Sequence, residues 1–338
     1  MVLALSLAGL LSLLGLWSVM QTKTAFRVTT ATTRYESVFN LAEAALQLSL
    51  RSVRMNTPFP SSVHLNSSVP VALSSNVLPE VIGELTDPPT LQRLLHGVQA
   101  VVHCAGAVRG ATPADFEHVN VEAVTALLDA LDHAAVPRLL HLSSLAARHP
   151  ELSPYAASKR AGERLLVQRL PASRRLVVRP PAVYGPGDRE LRPLLDGMAR
   201  GLALLPGPRT ARFSLLHVDD LSALIATLLA GDVGWGDVHE PDDGHPGGYD
   251  WRQLTAAVAR VRGRPARILP VPGPLLSLLG GINEARARLF GPLPMLSRGK
   301  ARELRWPDWV AAGNASLSDS GWQPVIDLER GLRDTFGG

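Results

Sequence analysis

The sequence predicts an α/β protein built on a doubly wound parallel sheet, and two observations carry that class. AVVHCAG, RLLHLSS and RRLVVRP are apolar runs of strand length. The stretches between them repeat their apolar residues at helical spacing, so strands and helices alternate. Such a sheet is covered by helices on both faces and receives ligands beyond the carboxyl ends of its strands. The segments around Gly106 and Ser144 fall at those ends.

The chain opens on MVLALSLAGLLSLLGLWSVM, twenty uncharged and mostly apolar residues. That run is long enough to cross a bilayer as a helix. With no basic leader and no small-residue cleavage site, it reads as an anchor. Lys23, Arg27 and Arg34 follow it, and the positive-inside rule then places the rest of the chain in the cytoplasm, tethered to the inner membrane. The next residues, to about 54, continue as a polar and then amphipathic helix. Residues 55–78 are rich in Ser, Pro and Asn and read as a linker, within which VPVAL supplies a candidate strand.

No glycine occurs between Gly15 and Gly83. A dinucleotide-binding fold opens with a strand, a glycine-rich turn and a helix, because only glycine lets the backbone approach the pyrophosphate at the helix N-terminus. The usual first strand and glycine-rich loop are therefore missing from the sequence.

The chemistry concentrates in HLSSLAARHPELSPYAASKRAGE. Tyr155 stands four residues before Lys159, so on a helix the two side chains share a face, and an ammonium there favours the phenolate. The chain has four tyrosines and three lysines, so chance yields such a spacing in about one chain in thirty. Ser143 and Ser144, at the end of the strand RLLHLSS, complete a compact acid/base group.

These residues, with four other segments in order, resemble the extended short-chain dehydrogenase/reductase family (NAD-dependent epimerase/dehydratases), from about Val81 onward. VIGELTDPPTLQRLLHGVQAVVHCAG resembles the family's strand, acidic residue, helix and next strand. FEHVNVEAVTALLDAL, RRLVVRPPAVYGPGDRE and FSLLHVDDLSALIATLLAG match later stations. The resemblance implies a Rossmann-like fold with NAD or NADP as cofactor. It implies Tyr155 as general acid/base, Lys159 lowering the tyrosine pKa and holding the nicotinamide ribose, and Ser144 bonding the substrate oxygen. It sets Glu84 and Leu85 against the adenine, Cys104, Ala105 and Gly106 under the cofactor, Asn120 on a helix beside it, and Pro181 near the nicotinamide. Residues 1–54 are similar to the N-terminal segment of minor pilin assembly proteins, through the apolar start and FNLAEAAL.

The expected organisation is therefore an apolar and amphipathic helix over 1–54, a linker over 55–78, an incomplete dinucleotide-binding domain over 79–185 and a substrate lobe over 186–338. In that lobe, LLSLLGGINEARARLFGPLPML either lines a lipophilic pocket or packs the lobe. The segment from Arg302 to Phe336 resembles the family's closing helix, with Gly321, Trp322 and Pro324 in its G-W-x-P position. Asp219 and Asp220 read as helix caps, Cys104 as a packing residue, and His103 as a satisfied core histidine. Asn120 carries structural and functional readings equally.

The implied activity is an NAD(P)-dependent oxidoreductase working on a hydroxyl or carbonyl. Because Ala182 stands where sugar epimerases commonly carry asparagine, a reductase is favoured over a nucleotide-sugar epimerase/dehydratase. A non-catalytic cofactor-binding relative and a membrane-tethered pilus-assembly component are the alternatives. The partners expected are a small-molecule substrate, the membrane through residues 1–20, and a second copy in a homodimer. A net charge of +4 spread over scattered arginines, without a basic and aromatic block, argues against nucleic acid. One cysteine leaves no internal disulfide, and no Cys/His cluster suggests a metal.

Overall fold

The computed structural model of the chain describes residues 85–95, 98, 100–110, 112–134, 136–290 and 296–337. The anchor expected at residues 1–20, the pilin-like segment, the linker with VPVAL, and Glu84 lie outside the described residues. Among the described residues, no helix is long and apolar enough to cross a membrane.

The first half alternates as expected. Helix α1 (Pro88–Leu95) leads to β1 (Ala100–His103), and α2 (Pro113–Glu117) passes through a wide helical turn, His118–Glu122, into α3 (Ala123–Ala134). Strand β2 (Arg138–Leu142), helix α4 (Pro154–Arg169), β3 (Arg175–Val178) and β4 (Ala182–Tyr184) follow. The predicted runs are all strands, but each is shorter than its apolar sequence. In AVVHCAG the strand stops at His103, and Cys104, Ala105 and Gly106 leave the sheet as the loop at its carboxyl end.

The second half adds α5 (Arg192–Ala199), β5 (Leu202–Leu205), β6 (Arg212–Phe213), β7 (Leu215–His217) and α6 (Val218–Ala230). It continues with β8 (Val238–His239), β9 (Tyr249–Asp250), α7 (Trp251–Arg262), β10 (Arg267–Pro270), α8 (Gly273–Phe290), α9 (Arg298–Arg305), β11 (Asp308–Trp309) and α10 (Leu328–Gly337). The sequence from Arg302 to Phe336 is thus not one closing helix. Pro307 and the left-handed Gly313 (φ +83°) and Gly321 (φ +75°) break it into the end of α9, β11, a short 3-10 turn and α10.

Strands β1, β2, β3 and β8 form a parallel sheet in that order, with Leu140 beside Leu176 and Val178 beside His239. Alternation along each strand divides the core between two faces. Leu139 and Val177 meet Leu91, Val124, Leu128 and Leu166 on one side. Leu140, Leu176 and Val178 meet Leu221, Leu224, Leu228 and Trp322 on the other. Each fully buried leucine contributes roughly 1.5–3 kcal/mol. A separate cluster around Tyr184, Met198, Phe213, Trp251 and Leu254 centres the second half.

Candidate active site

Helix α4 starts where Ser153 accepts a hydrogen bond from the Ala156 amide (2.9 Å) and Pro154 occupies the first helical turn, two strong start signals. This sets Tyr155 in the first turn and Lys159 one turn later. Ser144 ends the β2 segment, capping a short 3-10 turn by accepting from the Ala146 amide (3.2 Å). Its hydroxyl lies close enough to the Tyr155 phenol to favour the phenolate. The strand-end hydroxyl and the helix-borne phenol are therefore neighbours, although they stand eleven positions apart in sequence.

The electrostatics differ from the simple expectation. Burial raises the Tyr155 pKa above its ordinary value, against the lowering effects of the Ser144 hydroxyl and the Lys300 charge. Glu303 and Glu190 raise it further. The Lys159 ammonium donates to the Leu142 carbonyl (3.2 Å) and lies over Gly106. A Cβ at Gly106 would sit 2.7 Å from Lys159 Nζ and 3.0 Å from Asn120 Oδ1, so a larger residue there would push the ammonium aside. Burial lowers the Lys159 pKa to about 8, with Cys104 and Glu163 pulling it back up.

Asn120 is engaged with the chain itself. Its Oδ1 accepts from the Ala107 amide (2.8 Å), and its amide nitrogen donates to the Ala107 carbonyl (3.0 Å) and the Ser158 hydroxyl (2.8 Å). It therefore ties the loop after β1 to α4. Cys104 and Ala105 are half-buried in that loop, Pro181 is half-buried after β3, and Leu85 packs at the edge of the α1 core.

Beneath the site lies an ion network that single motifs did not reveal. Ser143 donates to Glu163 (2.6 Å), and Arg179 grips both Glu163 oxygens at 2.7 and 2.6 Å. Arg179 also reaches Glu240 (3.1 Å), which Arg148 holds from the other side. Hydrogen bonds to Arg179 and Ser143 keep the buried Glu163 below the usual carboxylate range despite its desolvation. Nearby, His103 and His141 stack with their Nδ1 atoms 3.0 Å apart. His103 is only partly satisfied, since its Nε2 is buried with no hydrogen-bond partner. Burial and the Lys159 charge push its pKa to about 3, so it is neutral.

Tyr155 borders a cavity of about 230 Å³ whose walls include Val108, Phe116, Glu284 and Lys300. Phe116 meets the Tyr155 ring edge-on (centroids 6.1 Å apart). Lys300 pairs with Glu303 (3.0 Å), and Glu303 accepts a hydrogen bond from Ser153. The only signal of Lys300 in the sequence is the rarity of lysine. Asp219 and Asp220 are not the caps of α6; His217 is, accepting from the Asp219 amide (3.3 Å). Asp220 instead accepts from the Val325 and Ile326 amides (3.1 and 3.0 Å), tying down the approach to α10.

A parallel α/β sheet with helices on both faces and polar side chains gathered past its strand ends defines the Rossmann-like fold class. The chain belongs to the NAD dependent epimerase/dehydratase family, whose description matches residues 40–234. The match opens at residue 40, well before the motifs that begin at Val81. The chain is 37% identical to the ceramide reductase of Caulobacter vibrioides over 231 residues, covering 68% of this chain and 71% of that one. It is 27% identical to the 2-alkyl-3-oxoalkanoate reductase of Stenotrophomonas maltophilia over 285 residues, covering 75% and 84%. Among solved structures it resembles RMD from Pseudomonas aeruginosa complexed with NADPH, with a TM-score of 0.57, 21% identity, and 77% and 88% of the two chains covered. Membership makes the chain one of an enzyme family of oxidoreductases and epimerases.

Proposed function

We propose that the chain is an NAD(P)-dependent reductase of a carbonyl carried on an alkyl chain. The observation that carries this reading is that Tyr155, whose phenol lies close enough to Ser144 for that hydroxyl to favour the phenolate, lines a cavity whose walls include Val108 and Phe116. Ser144 orients the carbonyl oxygen, and Tyr155 hands it the phenolic proton as it becomes an alcohol. A phenol whose pKa is raised by burial holds its proton at neutral pH, which suits a donor in the reducing direction. The names of two relatives, both reductases, agree with that direction.

The residues present fit the nicotinamide-ribose end of the cofactor. Lys159 is buried and makes one hydrogen bond among the described residues, to Leu142, leaving donors for ribose hydroxyls. Cys104, Ala105, Gly106 and Pro181 would line the same end, with Leu85 toward the adenine. The nicotinamide, when bound, supplies the hydride. Nothing in the sequence supplies the glycine turn for the pyrophosphate, so cofactor binding is expected to be weak, saturating above the micromolar range. That gap favours a second reading, a cofactor-binding relative without turnover.

The decisive assay follows NADPH oxidation by the full chain with a long-chain 3-oxo acid. Wild type turns over, while Tyr155→Phe loses about 10²–10⁴-fold in kcat/KM with an unchanged melting temperature. Equal activity in the variant removes Tyr155 from the reaction. NADPH binding without turnover in wild type selects the second reading.

A further inference from the structure

Helix α8 is apolar on both sides, and among the described residues only one side has a partner. Leu276, Gly280 and Ala287 are buried, Gly280 lying against the backbone of Ser297 at the start of α9. On the other side, Leu278, Ile282 and Leu289 are 60%, 49% and 76% exposed, with Pro274 and Ala285 exposed among them. At 100° per residue these five positions fall within an arc of about 80°, a continuous outward stripe. Scattered exposed leucines need no explanation, but a stripe along a whole helix does.

The charge around this helix indicates what covers the stripe. From Arg264 to Arg305 the sequence holds eight Lys/Arg and two Asp/Glu, a net of six positive charges in a chain whose total is +4. Arg286 is exposed at one edge of the stripe, and Arg298, exposed at the start of α9, lays its guanidinium against Gly281 at the other edge. An apolar face flanked by arginines is the pattern of a helix lying in the headgroup boundary of a membrane with anionic lipid. A second copy pairing through the same stripe would bring two such cationic segments together, which repels.

We propose that the exposed face of α8 docks on an anionic lipid bilayer, lying in its surface without crossing it. The same helix contributes Glu284 to the cavity beside Tyr155, so docking holds that cavity next to the bilayer. Delivery of a lipid carbonyl from the bilayer to Tyr155 rests on the reductase reading; the docking does not.

The test uses the full chain and phosphatidylcholine vesicles with or without phosphatidylglycerol. An environment-sensitive NBD label on Ala285→Cys, in a Cys104→Ala background, is expected to shift to the blue with the anionic vesicles and not with the neutral ones. Adding Leu278→Glu and Leu289→Glu should weaken that response about a hundredfold, since each buried leucine is worth roughly tenfold. Because the label reports α8 alone, binding through residues 1–20 leaves it unshifted, and an unshifted label overturns the proposal even if the protein sediments with vesicles. A shift that grows with protein concentration in the absence of lipid assigns the stripe to a second copy and also overturns it. So does an equal shift with both vesicle types. No arm requires turnover, so failure of the reductase reading leaves this test intact.

Discussion

Helices α4 and α8 are of similar length, 16 and 18 residues, and they place their side chains in opposite ways. In α4, Ser158, Lys159 and Glu163 are buried, each held by a hydrogen bond to a neighbouring element or to its own helix. In α8 it is leucine and isoleucine that face outward. Burying charge and exposing apolar surface both cost free energy, and folding alone rewards neither. The contrast teaches that the two helices answer different demands, a polar face held inside by hydrogen bonds and an apolar face left outward among the described residues.

The largest blow to the α4 side should come from its ion network. Arg179→Ala leaves Glu163 buried without its main counter-ion and is expected to cost about 3–5 kcal/mol in urea unfolding. A cost below about 1 kcal/mol would mean that the network is not what holds α4 over the sheet.

A smaller effect is expected from Lys159. Its pKa is about 8 in the folded chain against an ordinary 10.5, so between those values the unfolded chain binds the extra proton. The desolvation penalty is fully present below about pH 8 and is relieved as pH rises toward 10.5, so this group makes stability climb through that window. Comparing the urea midpoints of wild type and Lys159→Met across the window isolates the climb, which the variant should lack. Identical profiles would place the lysine in water.

The smallest effect belongs to the exposed stripe. Leu278→Ser should change stability by no more than about 0.5 kcal/mol, whereas Leu276→Ala, two residues away on the buried side, should cost about 2 kcal/mol or more. Similar losses from both would show that the outward face is covered within the chain, and the contrast between the helices would collapse.

Much of this was readable in the residues. The strand runs and the helix through Tyr155 and Lys159 were visible because period and length are local properties, and the start of α4 follows from Ser153 and Pro154. The strands came out shorter than their apolar runs because Cys104, Ala105 and Gly106 turn away where Lys159 and Asn120 crowd the backbone. Lys300 and Glu303 were not readable as neighbours of Tyr155, since they approach from another helix far along the chain. Asp220 looked like a cap because caps are local, whereas its partners at Val325 and Ile326 are more than a hundred residues away.

By itself, then, the sequence determined the alternating α/β class, the position of Ser144, Tyr155 and Lys159 at the end of a strand and the start of a helix, and the lack of a glycine turn before Gly83. Each of these depends on neighbours a few residues apart. Tertiary structure decided how the phenol is tuned, with burial and Lys300 acting on Tyr155 while Lys159 turns to Leu142 and Gly106. It also decided which side of α8 is buried among the described residues and which is exposed. Burial and electric field depend on what arrives from distant parts of the chain, and no local pattern encodes those arrivals.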